Sequence, residues 1–216
     1  MINIYFVRHG QTLLNTFQKM QGWCDSDLTK QGIQDAIDAG MRLKSKNFAY
    51  VYSSDTGRAV ETRDIILSNF NYQPQTVNTL HAFREILFGY YEGLDSTTIW
   101  EEIGGQYGYH TQADIINAKG LREVRRLMKL ADPSHTAETY DQVIQRWQSG
   151  IDYLKANCRD NSNILIVTHG SALRTFADNL GINTINNFPD NGSVSVLNVT
   201  DNSEYFSVYN NKEITY

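Results

Sequence analysis

With 216 residues, 41% hydrophobic and 12% aromatic, the chain has apolar material for one sizeable core, which excludes disorder as its ground state. A net charge of −5, with no basic run set against it, excludes a nucleic-acid partner and requires any anion site to be a local concentration of arginine. The first apolar stretch is too short for a signal peptide or a membrane span, so no membrane partner and a cytoplasmic location are expected; Cys24 and Cys158, far apart and without metal or redox spacing, read as free thiols.

Taken in order, the chain opens on a run rich in β-branched and aromatic side chains from Ile2, which predicts a buried strand. The strand delivers Arg8, His9 and Gly10 to its carboxyl end, the edge at which open α/β sheets bind ligands. Arg8 is a planar donor fork suited to phosphate or carboxylate, and His9 offers an uncharged nitrogen as base, ligand or nucleophile. Asn15 lies close enough to face the same crevice. A Gly, Asp and Ser-rich loop then ends in Thr29 as the N-cap of a helix expected to bury Ile33, Ile37, Gly40 and Leu43 and to end near Asn47.

A second strand over 49–53 leads to a helix capped by Asp55 or Thr56, with Arg58 in its first turn. A cation there opposes the helix dipole, which makes sense beside a bound anion; Arg63 reads as an arginine on a solvated face. After a short strand at 76–78 comes LHAFREILFGYYEG, in which Glu85 stands among apolar residues. For Glu85 an ion pair with Arg84 or another cation and a catalytic role are the competing readings, and His81 reads as structural.

Residues 94–137 break the rhythm of strand and helix and are expected to be a helical cap inserted into a single domain spanning 1–216. Lys119, Arg122, Arg125, Arg126 and Lys129 in it read as a solvated face, from which one could meet a substrate's distal charge. Tyr90, Trp100, Tyr107 and Tyr109 are candidates for a pocket lining. A strong helix follows, with Tyr140, Trp147, Ile151 and Leu154 in its buried stripe. NILIVTHGS then repeats the opening theme, with His169, Gly170 and Ser171 at a strand's end and a helix start. Two alternating strands close the chain. The fold class expected is α/β, a three-layer α/β/α arrangement with a mostly parallel sheet and antiparallel strands at its edge.

Strand ends and helix starts thus supply Arg8, His9, Arg58, Glu85 and His169. Two guanidinium forks and an imidazolium suit a phosphoryl group. Two histidines and a glutamate could bind zinc, but the flanking arginines would repel the ion, so no metal and no cofactor are expected.

RHGQT with Asn15, QGWCDSDLTKQG, SSDTGRAVET, FREILFGYYEG and VTHGSALR together resemble the histidine phosphatase superfamily in its phosphoglycerate-mutase-like branch. The resemblance implies that His9 is the nucleophile and forms a phosphohistidine. It also implies that Arg8, Arg58 and His169 hold the phosphoryl group, with contacts from Asn15 and from backbone amides near Gly170 and Ser171, and that Glu85 is the general acid and then the base. Gln11 stands where the family commonly has Glu, Asp27 where Pro is common and Glu61 where Gln is common; none removes a catalytic group. ILFGYYEG after Glu85 is closer to the phosphatases than to the mutases.

The expectation is a metal-independent phosphomonoester hydrolase acting on a small phosphorylated substrate. The alternatives are a 2,3-bisphosphoglycerate-dependent mutase and a non-catalytic module that binds phosphate esters. The oligomeric state is left open.

Overall fold

A computed structural model describes all of residues 1–216. Six strands form one mixed sheet: β1 (Ile2–Arg8), β2 (Phe48–Ser53), β3 (Thr76–Thr79), β4 (Asn163–Thr168), β5 (Val194–Val199) and β6 (Glu204–Asn211). Their order is β3-β2-β4-β1-β5-β6. The first four run parallel, and β5 and β6 add antiparallel pairings at one edge.

The parallel centre places the site. Arg8 pairs with Thr168 and Ser53 with Val167, so three neighbouring strands end level with one another. The chain then leaves the sheet three times along one edge, and the His9 and Ser54 amides still donate to the Thr168 and Val167 carbonyls, each at 2.9 Å. His9, Ser54 and His169 therefore lie side by side although far apart in sequence.

Alternation along β1 divides the core in two: Ile4 and Phe6 join the larger cluster, while Tyr5 and Val7 join the smaller one on the opposite face. Helices α2 (Lys30–Leu43) and α3 (Gly57–Leu67) cover the smaller cluster; α6 (Tyr140–Asn157) and α7 (Gly170–Asn179) cover the larger. At its centre Trp147 is fully buried, with ring centroids 5.2 Å from Phe6, 5.3 Å from Phe83 and 5.2 Å from Phe176. A four-residue helix, α1 (Leu13–Thr16), follows the His9 loop.

Helix α2 differs from the expected stripe. It ends at Leu43, and it buries Gly32, Ala36, Ala39 and Gly40 while Ile33 is 39% exposed. The reason is close approach: a Cβ on Gly10 would overlap the Gly32 carbonyl, and one on Gly32 would overlap the Gln11 carbonyl. Small residues let the helix press on the loop behind His9.

Residues 94–137 carry α4 (Ser96–Gly105) and α5 (Gln112–Ala131), the latter bent at Gly120, whose φ is +80°. Ile115, Leu121, Val124, Leu127 and Met128 on α5 enter the larger core. The end of α5 is tied down by Asp132, fully buried, which accepts the amide N–H of Tyr90, Ser134, Thr136 and Ala137 and the hydroxyl of Ser134 at 2.7–3.0 Å. Tyr91 adds a bond from its hydroxyl to the Ala131 carbonyl. Two short 3₁₀ turns, His81–Phe83 and Gly89–Tyr91, bracket Glu85. No helix is long and apolar enough to cross a membrane.

Candidate active site

His9 follows the last residue of β1 and is almost wholly buried. Its Nδ1 lies 2.8 Å from the Gly10 carbonyl, an acceptor, so Nδ1 carries the proton and Nε2 the lone pair. The Gly10 amide donates to Thr62 on α3 and the Asn191 side chain donates to the His9 carbonyl, which fixes the backbone on both sides.

Arg58 sits between the two histidines, 1% exposed. Its Nε donates to His9 Nε2 at 3.3 Å and its Nη2 to His169 Nδ1 at 3.0 Å. Its remaining donors meet the carbonyls of Gly22 (2.7 Å) and Cys24 (2.8 Å) and the Asp25 carboxylate (2.9 Å). The loop QGWCDS presents those carbonyls because Glu92 accepts the amide N–H groups of Gly22, Trp23 and Cys24. Asp25 also accepts the Gly57 amide, capping α3 in place of the expected side chains; Thr56 is the N-cap residue but makes no capping bond.

His169 precedes α7. With Nδ1 accepting from Arg58, its Nε2 donates to Ser54 Oγ at 2.6 Å. Burial first, and the Arg58 charge next, hold both histidines well below the ordinary imidazole value. In place of the imidazolium expected in the site both rings are therefore neutral, and positive charge in the free site belongs to the arginines. Burial pushes Arg8 down to about 10, which leaves it charged at neutral pH. Arg8 donates through Nη1 to the Pro189 carbonyl at 2.6 Å, and its guanidinium stacks on Phe188 at 4.9 Å. Its buried Nε has no partner, a free donor beside His9. A Cβ on Gly170 would fall 2.6 Å from Phe188 and 3.0 Å from that Nε, so glycine is what lets the arginine lie against the start of α7.

Glu85, 5% exposed, makes no ion pair with Arg84, which instead pairs with Asp55. Its Oε1 accepts the amides of Ile86 (2.9 Å) and Ala172 (2.6 Å), and Oε2 accepts that of Ser171 (2.9 Å). The Ser171 amide, expected to face the phosphoryl group, is thus committed to Glu85, whereas the Gly170 amide has no such bond. Arg146, in a bidentate pair with Glu138, donates to the carbonyls of Ala82, Arg84 and Glu85 and so holds the Glu85 backbone. Asn15 completes a capping box with Thr12 and donates to Gln21 at 3.4 Å.

A cavity of about 180 Å³ is lined by Arg8, His9, Asn15, Glu85, Trp100 and Ser171, among others. Trp100 alone of the four aromatic candidates lines it; Tyr90 and Tyr107 are exposed and Tyr109 packs on the larger core. A larger concavity, about 580 Å³, lies elsewhere, between α5 and the start of α6; there Arg122 is paired with Asp141 and Arg126 with Glu123. No group of three or more His, Cys, Asp or Glu side chains converges as a metal site. Burial pushes the Cys24 thiol up to about 12, so it is no nucleophile.

Two expectations for surface arginines are overturned. Arg63 is buried and donates to Ser53 and the Asn78 carbonyl; Arg125 is buried on the inward face of α5. Ser54, Asp25, Thr62, Gln21, Asn191 and Arg146 all support the site and carry no signal in the sequence, since each meets its partner through the fold rather than through a local pattern.

The two buried neutral histidines make stability depend on pH. Each takes up a proton below about pH 6.5 when unfolded but not when folded, so the unfolded state gains as the pH falls, by roughly 1.4 kcal/mol per unit for each ring. Thermal melts from pH 7.5 to 5.5 are expected to show a steady fall in Tm below pH 6.5; a flat profile would contradict the neutral pair.

The chain was compared with known proteins. A family model described as the histidine phosphatase superfamily (branch 1) matches residues 4–212. A curated 2,3-bisphosphoglycerate-dependent phosphoglycerate mutase 2 of Bacteroides thetaiotaomicron is 28% identical over 190 residues, 81% of this chain and 75% of the relative. The crystal structure of a phosphoglycerate mutase from Bacillus anthracis superposes with a TM-score of 0.85 at 29% identity, over 98% of this chain and 92% of that one. A phosphoserine phosphatase from Entamoeba histolytica shares the fold, with a TM-score of 0.73 at 23% identity, covering 99% of this chain and 98% of that one.

Proposed function

Because the chain belongs to the histidine phosphatase superfamily, we propose that it is a metal-independent phosphomonoester hydrolase that works on small phosphorylated metabolites through a phosphohistidine. The observation that carries this reading is the state of His9: Nδ1–H is committed to the Gly10 carbonyl, which leaves Nε2 as an unprotonated nucleophile beside guanidinium groups.

In the first half-reaction Nε2 bonds to phosphorus as the ester P–O bond breaks, and the departing oxygen takes a proton from the Glu85 carboxyl. In the second, water gives a proton to Glu85 and bonds to phosphorus as the N–P bond breaks, releasing inorganic phosphate and His9. The free Nε of Arg8, the Arg58 fork and the Gly170 amide are the donors offered to the equatorial oxygens, whose charge they stabilise during transfer. Arg58 gives up His9 Nε2 when the phosphoryl group takes that place. His169, fixed by Ser54 with Nδ1 toward Arg58, keeps the guanidinium aligned. Residues 94–137 act as a cap, since Ser96, Trp100 and Gln112 wall the pocket.

The names of the Bacteroides and Bacillus relatives support a second reading, a mutase that passes the phosphoryl group to another hydroxyl. The deciding experiment measures p-nitrophenyl phosphate hydrolysis in EDTA and, separately, interconversion of monophosphoglycerates with and without 2,3-bisphosphoglycerate. Turnover of the ester with no bisphosphoglycerate requirement is expected. Interconversion that depends on bisphosphoglycerate, with negligible ester hydrolysis, would establish the mutase instead.

A further inference from the structure

Arg8 is oriented by a loop that has little backbone support of its own. Its Nη1 donates to the Pro189 carbonyl and its guanidinium stacks on the Phe188 ring, and together these contacts leave Nε as the free donor beside His9. Both come from residues 184–191, whose only main-chain hydrogen bonds are two local turns, Asn187 to Thr184 and Ser193 to Asp190. No ladder bond ties these residues to the sheet, so side chains must hold them in place.

One side chain makes three of the bonds that do so. Asn210 on β6 accepts the Asp190 amide through Oδ1 at 2.7 Å, and its Nδ2 donates to the Phe188 carbonyl at 3.0 Å and to Asn187 Oδ1 at 2.8 Å. The peptide group between Pro189 and Asp190 is trans, so its C=O and N–H point in opposite directions. Arg8 holds the first and Asn210 the second, and a shift of either end moves the other.

The edge strand is shaped to present Asn210. Val196 lies opposite Val208 and Val194 opposite Asn211, so over that stretch β6 carries one residue more than β5. Asn210 stands in this bulge with φ +51°, and its amide donates to Ser195 Oγ rather than to a ladder carbonyl. A bulge breaks the alternation of a strand and re-aims a side chain, and asparagine is among the few residues that enter the left-handed region readily. Asn210 does not line the catalytic pocket, so any influence it has on the reaction passes through Arg8.

We propose that Asn210 is a positioning residue for phosphoryl transfer: by holding the peptide groups on both sides of Pro189 it fixes the carbonyl and the ring that orient Arg8. The proposal rests on the phosphoryl-transfer reading and adds to it a residue of the edge strand, two strands away from β1.

The test measures inhibition of p-nitrophenyl phosphate hydrolysis by orthovanadate, which adopts the five-coordinate geometry of the transfer, and by inorganic phosphate; where turnover is slow, calorimetry reads the same constants. An inhibition constant does not depend on how much of a preparation is folded, so lost stability alone leaves it unmoved. Asn210→Gly suits the positive φ and removes only the side chain. The vanadate constant is expected to rise about tenfold and the phosphate constant about threefold or less, because Arg8 is needed most where charge builds on the equatorial oxygens. In an Arg8→Lys background the same change should cost less than about twofold, since no guanidinium is left for Pro189 and Phe188 to align. An unchanged vanadate constant in folded Asn210→Gly, or the same loss in the Arg8→Lys background, would overturn the proposal. Should Asn210→Gly not fold, Asn210→Asp decides: it keeps the Asp190 bond and the tolerance of positive φ but lacks the donors to Phe188 and Asn187. A rise of about threefold or more in its vanadate constant is expected, and no rise overturns the proposal. An unmodified protein that neither hydrolyses the ester nor binds vanadate would remove the phosphoryl-transfer reading and this inference with it, whereas an active protein indifferent to Asn210→Gly removes this inference alone.

Discussion

Hydrolysis of p-nitrophenyl phosphate in EDTA is expected to fall by at least about 10³–10⁴-fold when His9 is replaced by alanine, because the other buried imidazole, His169, has both ring nitrogens engaged, by Ser54 and Arg58. The substitution spares the strand: the His9 amide still donates to the Thr168 carbonyl and the Gly10 amide to Thr62. It does remove the acceptor of Arg58 Nε, whose other donors keep their loop partners. A folded His9→Ala protein with a tenth or more of the original rate would exclude His9 as nucleophile. A reaction quenched in alkaline detergent should also trap an acid-labile, base-stable phosphoryl group on the unmodified chain and none on the variant.

Glu85→Gln is expected to act differently on different leaving groups. For an alkyl phosphate, whose alkoxide needs a proton as it departs, kcat/KM should drop about a hundredfold or more; for p-nitrophenyl phosphate, whose leaving group is stable as an anion, the loss should stay within about tenfold. Because kcat/KM reads only the steps through formation of the phosphoenzyme, the later role of Glu85 as base does not blur the comparison. The amide would also set an NH₂ group where Oε1 or Oε2 now accepts an amide N–H, so some destabilisation accompanies the change. Equal losses on both esters, or full activity on the alkyl ester, would show that Glu85 does not supply the proton.

Much of the fold was legible because strands and helices follow apolar periodicity, and the site because parallel strands end together. His9 and His169 could be read as partners from two runs of β-branched residues that stop at His-Gly. Arg58 could be read from a cation in the wrong turn of a helix. Arg125 was hidden by its charge: Leu121 and Met128 stand four residues before and three after it, the spacing of a buried face, yet the neighbouring Arg122, Arg126 and Lys129 made the segment look solvated. Arg63, with Ala59 four before and Ile66 three after, was hidden in the same way. Ser54 left no trace at all, because its bond to His169 spans 115 residues and depends on the register of β2 with β4. Helix α2 misled through its isoleucines, since what decides its rotation is how closely Gly32 must come to the loop after His9.

On the proposed reading, Asp132 has a bearing on how substrates are chosen. By accepting N–H groups from Tyr90 on one side and from Ser134, Thr136 and Ala137 on the other, its carboxylate ties the end of α5 to the loop that carries Glu85. If Glu85 donates the proton as proposed, the segment above the pocket and the donor are tied together, and lifting the first is expected to drag the second out of register. The entrance is then expected to behave as a fixed aperture, with discrimination among esters falling at the moment of encounter, before any bond to phosphorus is made.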